Sequence, residues 1–475
     1  MSSAWSVKQI KQDHKDSKRG SINFTAGIDG FDYADTADKA AKAIKAQGID
    51  FEGNAETISR IRNAKKIVLL EPHFARKYLP LGLAKISTYA KRHGVKVEYQ
   101  RDYNPVGEDL VCVTSLFTYD SEKVHDSIKA VNFLNRGVPV IVGGVYASIM
   151  SKAITDLFPH VTIFKGFSKE LDMSPPDYEA YEQWGMEDPW NKFSFIFTTR
   201  GCPHFCPYCV VWKIEPREDG GGLWVNPEWK EHILDERPYM MVSDNNLSSL
   251  PMEHIEDVIT FAHKKDKRVV FDNGFDCKFI TDDLADLLGK TKFGRTGMRL
   301  AFDRIEEDGI FQPAIEKLKK HGVPKSAIMS YVLFNFADKP QEANYRMTEC
   351  VKLGIRPYPT RYCPLNKLER GNPYVGKHWT KNLARVYRVF WLMAGWFNKM
   401  TFEDWARKEI GGKQYKLFDD DWDCWYTGAT KRSFRGHRKV VEDDALPVAD
   451  PLIAVKEDIN AGNLESFFAE ESITP

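Results

Sequence analysis

Three of the chain's eight cysteines fall in one short stretch, TTRGCPHFCPYCVVW, where Cys202, Cys206 and Cys209 take the spacing C-x3-C-x2-C. Thiolates are the natural ligands of an iron–sulfur cube, which carries four irons. Three thiolates leave one iron without a protein ligand, open to the amino and carboxylate groups of a small molecule. Three cysteines on one loop can wrap one face of the cube and expose the opposite corner. Gly201, Pro203 and Pro207 suit a tight, irregular turn, and Tyr208, just before the third cysteine, can pack beside a bound ligand. A zinc ion held by the three cysteines and His204 is the alternative. A fourth ligand inside so short a loop is sterically awkward, however, and no second C-x2-C pair exists. Cys112, Cys277, Cys350, Cys363 and Cys424 are scattered. That scatter argues against a second cluster and, with no export signal in view, against a disulfide framework.

Two strand–helix series have to position these groups. From Lys65 the segment KKIVLLEP reads as a buried strand, LGLAKISTYAKRHG as a helix stopped at Gly94, and VKVEYQ and DLVCVTSLF as further strands. The amphipathic SEKVHDSIKAVNFLNRG and the strands VPVIVGG and VTIFKG complete a block over 63–172. This alternation predicts a parallel, doubly wound sheet. A Pro-rich linker is expected over 173–190. A second series over 191–370 places strands at Phe193–Thr199, Tyr239–Ser243, Arg268–Asp272, Met298–Asp303, Ala327–Phe334 and Ile355–Arg361. Six such units suggest a barrel or partial barrel with its site at the carboxyl ends of the strands. Residues 1–62 are a polar extension with one helix at Thr36–Gln47. Residues 371–475 form an aromatic-rich, mostly helical region, including a buried helix in ARVYRVFWLMAGWFNKM, that ends in an acidic tail.

Lys plus Arg equals Asp plus Glu, 67 each, so bulk charge points to no nucleic-acid or membrane partner. The polar N-terminal stretch and the lack of an apolar run near the ~20 residues that span a bilayer predict a cytoplasmic protein. The one dense basic patch, TKRSFRGHRK at 430–439, could grip nucleic acid, but its acidic flanks FDDDWD and VVEDDA favour a solvated loop.

The C-x3-C-x2-C loop after a first barrel strand, with an aromatic before its third cysteine, resembles the signature of the radical S-adenosylmethionine superfamily. The resemblance spans about 65–370 and is specific at the cysteine loop. It implies a partial (β/α)6 TIM-like barrel, a [4Fe-4S] cluster on Cys202, Cys206 and Cys209, and reductive cleavage of S-adenosyl-L-methionine. The product would be a 5′-deoxyadenosyl radical that abstracts hydrogen from a substrate. It also implies an electron donor such as flavodoxin or ferredoxin. By the same resemblance Tyr208, Ser243, Asp244 and Asn246 would contact the cofactor near the methionine end. Asn273 would sit at the barrel mouth, Asp303 near the ribose with Arg299 facing inward, and Asn335 within reach of cofactor or substrate. A helix-cap or other structural role is the competing reading for each.

The block at 63–172, with EPHFARKYLPLGLAKISTYAKRHGVKV and VPVIVGGVYAS, resembles the Rossmann-like cobalamin-binding domain of one radical S-adenosylmethionine subclass. The loop that often carries a cobalt-ligating histidine there reads RDYNPVGED and has none. The domain is therefore expected to act as a scaffold, with Tyr103 or Phe117 filling its pocket, and the reaction to be a rearrangement, oxidation or bond cleavage. The alternatives are a cobalamin-dependent C-methyltransferase, or a non-catalytic metal- or nucleic-acid-binding scaffold.

Overall fold

The computed structural model describes residues 54–74, 80–180, 190–204, 206–215, 223–294, 297–368, 374–402 and 404–405. The Thr36–Gln47 helix, the 430–439 patch, Cys424 and the acidic tail lie outside them. The described residues form a mixed α/β structure with parallel sheets. They divide into two compact units, one reaching Lys267 and including 364–368, the other running from Arg268 to Cys363 and resuming at 374.

The first unit is built on a five-stranded sheet: β1 (Lys66–Leu70), β2 (Lys96–Gln100), β3 (Leu110–Ser115), β4 (Val140–Gly144) and β5 (Thr162–Ile163). Every pairing is parallel, in the order β2-β1-β3-β4-β5. Alternate residues of β1, β3 and β4 enter two different cores, as the period of two requires. Val68, Leu70, Val111, Val113, Val140 and Val142 pack with Val124, Ile128 and Val131 of α3 (Ser121–Leu134). Ile67, Leu69, Leu110, Cys112 and Ile141 pack with Ile58 and Ile61 of α1 (Ala55–Asn63) and with Leu83, Tyr89 and Ala90 of α2 (Leu81–Arg92). A sheet covered on both faces needs apolar residues at every position, which is why KIVLL reads as a continuous run. Tyr103 belongs to the first of these cores, and its hydroxyl hydrogen-bonds the Glu108 carboxylate.

After β4 come the short α4 (Val145–Ile149) and α5 (Ser151–Thr155), then α6 (Lys169–Asp172). The described part of the expected linker is not a loose connection: Ser174, Asp177, Tyr178 and Ala180 are buried. The Asp177 carboxylate accepts from Ser87 Oγ at 2.5 Å and Lys91 Nζ at 2.6 Å, both on α2. The Tyr178 hydroxyl accepts from Phe195 N at 2.7 Å, and Arg237 stacks 4.3 Å from its ring centroid. A segment whose polar groups all find buried partners packs like an element of structure.

β6 (Phe193–Ile196) then pairs in parallel with β9 (Tyr239–Val242). The single strand expected over 193–199 divides, because β7 (Thr199–Arg200) turns away to pair antiparallel with β8 (Trp224–Val225). α7 (Val211–Ile214) and α8 (Met252–Lys264) complete this unit.

In the second unit β10 (Arg268–Phe271) bridges through Val269 to Phe293, and Phe275 just beyond it bridges to Leu300. β11 (Met298–Ala301), β12 (Ile328–Phe334) and β13 (Arg356–Arg361) form a parallel sheet. α9 (Asp282–Gly289), α10 (Phe311–Lys320) and α11 (Pro340–Lys352) alternate with them. The aromatic helix expected over 384–400 is two pieces, α12 (Lys381–Leu392) and α13 (Ala394–Phe397). Met393 between them takes an extended ψ of 90° and is 51% exposed. α12 alone presents a buried face, with Leu383, Tyr387, Phe390 and Trp391.

Among the described residues no helix is long and apolar enough to cross a membrane.

The β4–α4 corner is the tightest backbone approach in the first unit. Gly144 has φ +104°, and a Cβ there would lie 1.8 Å from the Ser115 carbonyl oxygen. Gly144→Ala should therefore cost about 3 kcal/mol or more, at the upper end for point substitutions. Urea denaturation measures it, and an unchanged midpoint would show that the corner can relax.

Candidate functional site

The three clustered cysteines lie on the loop between β7 and α7, each half-buried. The loop is held by its own backbone and by Trp212. Cys209 N donates to Cys206 O at 3.0 Å, Trp212 Nε1 donates to the same carbonyl at 2.9 Å, and Val211 N approaches Cys209 Sγ at 3.5 Å. Gly201 starts the loop at φ +94°, a conformation that a side chain resists. Tyr208 is half-buried in the same loop.

Beneath the loop lies a cluster of four buried charges. Arg200 donates to Asp172 through Nε at 3.0 Å and Nη2 at 2.8 Å, and to Glu215 through Nη1 at 3.1 Å. Lys85 of α2 reaches the other side of Asp172, bonding both its carboxylate and its backbone carbonyl. Glu215 also accepts from Gly201 N at 3.3 Å, and Asn226 Nδ2 donates to Asp172 O at 3.1 Å. The Arg200 guanidinium lies 3.4 Å from the Phe197 ring centroid. Arg200 and Glu215 bracket the cysteine segment, so one ion pair closes both its ends.

Two cations face two carboxylates, which keeps the cluster near neutrality and makes its burial tolerable. Burial pulls the Lys85 ammonium down to about 8, against the opposing pull of Asp172. Burial pushes the Asp172 carboxyl up, but Arg200 and Lys85 outweigh it and hold it well below the usual range. The Glu215 carboxyl is pushed up by burial, partly offset by Arg200. None of these four residues was singled out from the sequence. Lys85 offered a signal, since on α2 it lies one turn before Tyr89, on a face that is otherwise buried.

Asp244, after β9, secures the residues that lead into the loop. Its carboxylate accepts from Thr198 N at 2.6 Å, from Thr199 Oγ1 at 2.8 Å, and from Thr198 Oγ1. His254 Nε2 meets the same Thr198 hydroxyl at 2.8 Å. That hydroxyl gives its one proton to Asp244, so His254 must be the donor to it. Burial raises the Asp244 carboxyl to about 6, against the lowering effect of its threonine hydrogen bonds, and lowers His254 to about 4.

The other residues expected at the β9 end lie beside it. Ser243 N donates to Ile196 O at 2.8 Å, and Asn246 Oδ1 accepts from Ser248 Oγ at 2.8 Å. Asn245, which the sequence reading passed over, places its Nδ2 3.5 Å from Gly201 O, at the root of the loop.

The remaining candidates lie in the second unit. Asn273 is exposed just after β10. Arg299 is buried, with Nη1 3.0 Å from Phe271 O and 3.1 Å from Asp272 Oδ1. Asp303 accepts from Leu333 N at 2.9 Å, and burial, with Glu307 nearby, raises its carboxyl to about 7. Asn335 is fully buried at φ +65°. Its Nδ2 donates to the carbonyls of Tyr362 and Tyr374, and its Oδ1 accepts from Gly376 N. These bonds give its amide a structural task, fastening the chain that follows β13 to the end of β12.

Among the described residues no three His, Cys, Asp or Glu side chains converge on a point that could hold a single metal ion. The fit of the loop to an iron–sulfur group rests on its donors: three soft, half-buried thiols on one loop with both ends fixed. Set against known proteins, the chain matches no family model and no curated protein.

The charge cluster generates one expectation. Arg200→Met leaves two carboxylates facing Lys85 alone and should cost about 3–5 kcal/mol, as when one partner of a buried pair is removed. Denaturation of the variant at neutral pH measures this, and a loss under 1 kcal/mol would mean that water enters the cluster. A second expectation concerns pH. The folded-state pKa of Asp244 is raised from 3.8 to about 6. Its contribution is therefore fully present below the unfolded pKa and is lost as pH rises through the folded one. The stability of the wild type minus that of Asp244→Asn should fall between pH 4 and about 6.5. A difference that rises over that window would reverse the assignment.

Proposed function

We propose that the chain is a radical S-adenosylmethionine enzyme whose [4Fe-4S] cluster is held by Cys202, Cys206 and Cys209. The observation that carries this reading is the cysteine loop itself: three half-buried thiols in C-x3-C-x2-C spacing, at the carboxyl side of β6, with both ends closed by Arg200 and Glu215. When bound, the cluster would supply the electron that cleaves S-adenosylmethionine to methionine and a 5′-deoxyadenosyl radical. The chain's own residues shape and dry the site. Arg200, Glu215 and Asp244 fix the two ends of the loop so that the thiols need little reordering on ligation. Tyr208 lines the loop beside the third thiol, and Ser243, Asn245 and Asn246 place polar groups where the amino acid portion of the cofactor would lie. In this reading the second strand series is a partial (β/α)6 barrel. Asn273, Arg299 and Asp303 lie at its strand ends, toward nucleoside and substrate. The electron would come from a small carrier such as a flavodoxin or ferredoxin.

The front sheet serves in this reading as a Rossmann-like scaffold. Tyr103 is built into its core, and α2 and α6 supply Lys85 and Asp172 to the charge cluster. That arrangement favours a rearrangement, oxidation or bond cleavage over a cobalamin-dependent methylation.

Anaerobically reconstituted protein should carry about four irons and four sulfides per chain, and Cys202→Ala, Cys206→Ala and Cys209→Ala should each abolish them while Cys363→Ala does not. With dithionite and S-adenosylmethionine the loaded protein should release 5′-deoxyadenosine. A full cluster that leaves S-adenosylmethionine intact across a broad substrate panel would sink the enzymatic reading.

A further inference from the structure

Arg361 closes β13, two residues before Cys363. Its guanidinium has five N–H donors. Among the described residues it makes one hydrogen bond, from Nη2 to the Tyr374 carbonyl at 3.1 Å, and its enclosed Nε meets no acceptor. The one group among the described residues whose charge acts on it is the Cys363 thiol. Arg388, buried on α12, which packs along β13, acts on that same thiol. Two guanidinium groups thus flank a half-buried thiol at a strand's carboxyl end. A cation withdrawn from water is costly unless an anion answers it. The guanidinium fork matches the oxygens of a carboxylate or phosphate, and carboxyl ends of parallel strands are where α/β proteins hold ligands.

We propose that Arg361 and Arg388 bind an oxyanion group, carboxylate or phosphate, of the substrate at the carboxyl end of β13. The identification of that ligand as substrate rests on the enzymatic reading above; the anion site itself requires no cluster. Cys363 reports on it. The two guanidinium groups favour its thiolate, so an oxyanion seated between them should raise the thiol's pKa and shield it.

The test is the rate at which iodoacetamide alkylates Cys363 in the full chain, read by peptide mass spectrometry. Chloride, phosphate and acetate are compared at one ionic strength, with a free thiol in the same buffers as the reference. Phosphate or acetate should slow Cys363 saturably by about tenfold, the effect of about one unit on its pKa. Protection by phosphate alone assigns a phosphate, and protection by acetate alone a carboxylate. Arg361→Gln and Arg388→Gln should lose the protection, and Arg361→Lys should keep part of it. Equal rates in all three salts for the wild type overturn the proposal whether or not the variants fold. So does undiminished protection in a folded Arg361→Gln. Protection without 5′-deoxyadenosine release would keep the anion site and discard the enzymatic reading. Release without protection would do the reverse.

Discussion

Arg200 holds its guanidinium between two carboxylates in a place with little water, and the geometry of the cysteine loop depends on that contact. Asp172 comes from the end of the front block, Glu215 from beyond the loop, and Lys85 from a helix that covers the front sheet. Four segments distant in sequence therefore meet at one charge-balanced point. A buried pair contributes modestly to net stability but strongly penalises any arrangement that leaves one partner alone. The chain is held to one geometry, and the loop between residues 200 and 215 inherits it.

Asp244 repeats the device with neutral donors. One carboxylate collects a backbone N–H and two hydroxyls from Thr198 and Thr199, and His254 supports the arrangement through the Thr198 hydroxyl. These bonds bend the chain out of β6, so that β7 leaves the parallel pairing and points the cysteine segment away from it. The polar residues at the β9 end thus divide into roles. Asp244 is spent on the protein's own backbone and hydroxyls, and Asn245 addresses the carbonyl of Gly201. Asn335 shows the same economy in the second unit, where its amide joins three backbone groups.

The front sheet is stable for ordinary reasons, with apolar residues alternating between two helix-covered cores. It also carries work for the site. α2 buries Leu83 and Ala84 against the sheet, projects Lys85 into the charge cluster, and offers Ser87 and Lys91 to Asp177. The segment after α6 therefore welds the front block to the start of the second series, where composition alone suggested a linker. Proline and acidic residues mark an extended chain in any context; whether it is slack depends on the partners its side chains meet.

The sequence determined the elements. Continuous apolar runs for doubly covered strands, amphipathic helices between them and a Gly stop at residue 94 are local signals, set by hydrophobic periodicity and backbone sterics. Predicted and observed strands accordingly agree to within a few residues at β1 through β4 and at β9 through β13. The cysteine spacing was equally legible, because ligand chemistry is written in residue type and separation. Tertiary structure decided what each polar residue does. Asp172, Arg200 and Glu215 look like any surface charges in the sequence, since their partners come from segments that only folding brings together. The split of the first expected strand into β6 and β7, and of the aromatic helix at Met393, likewise depended on contacts rather than on propensity. Burial and hydrogen-bond partners are properties of the assembled fold, and no local pattern encodes them.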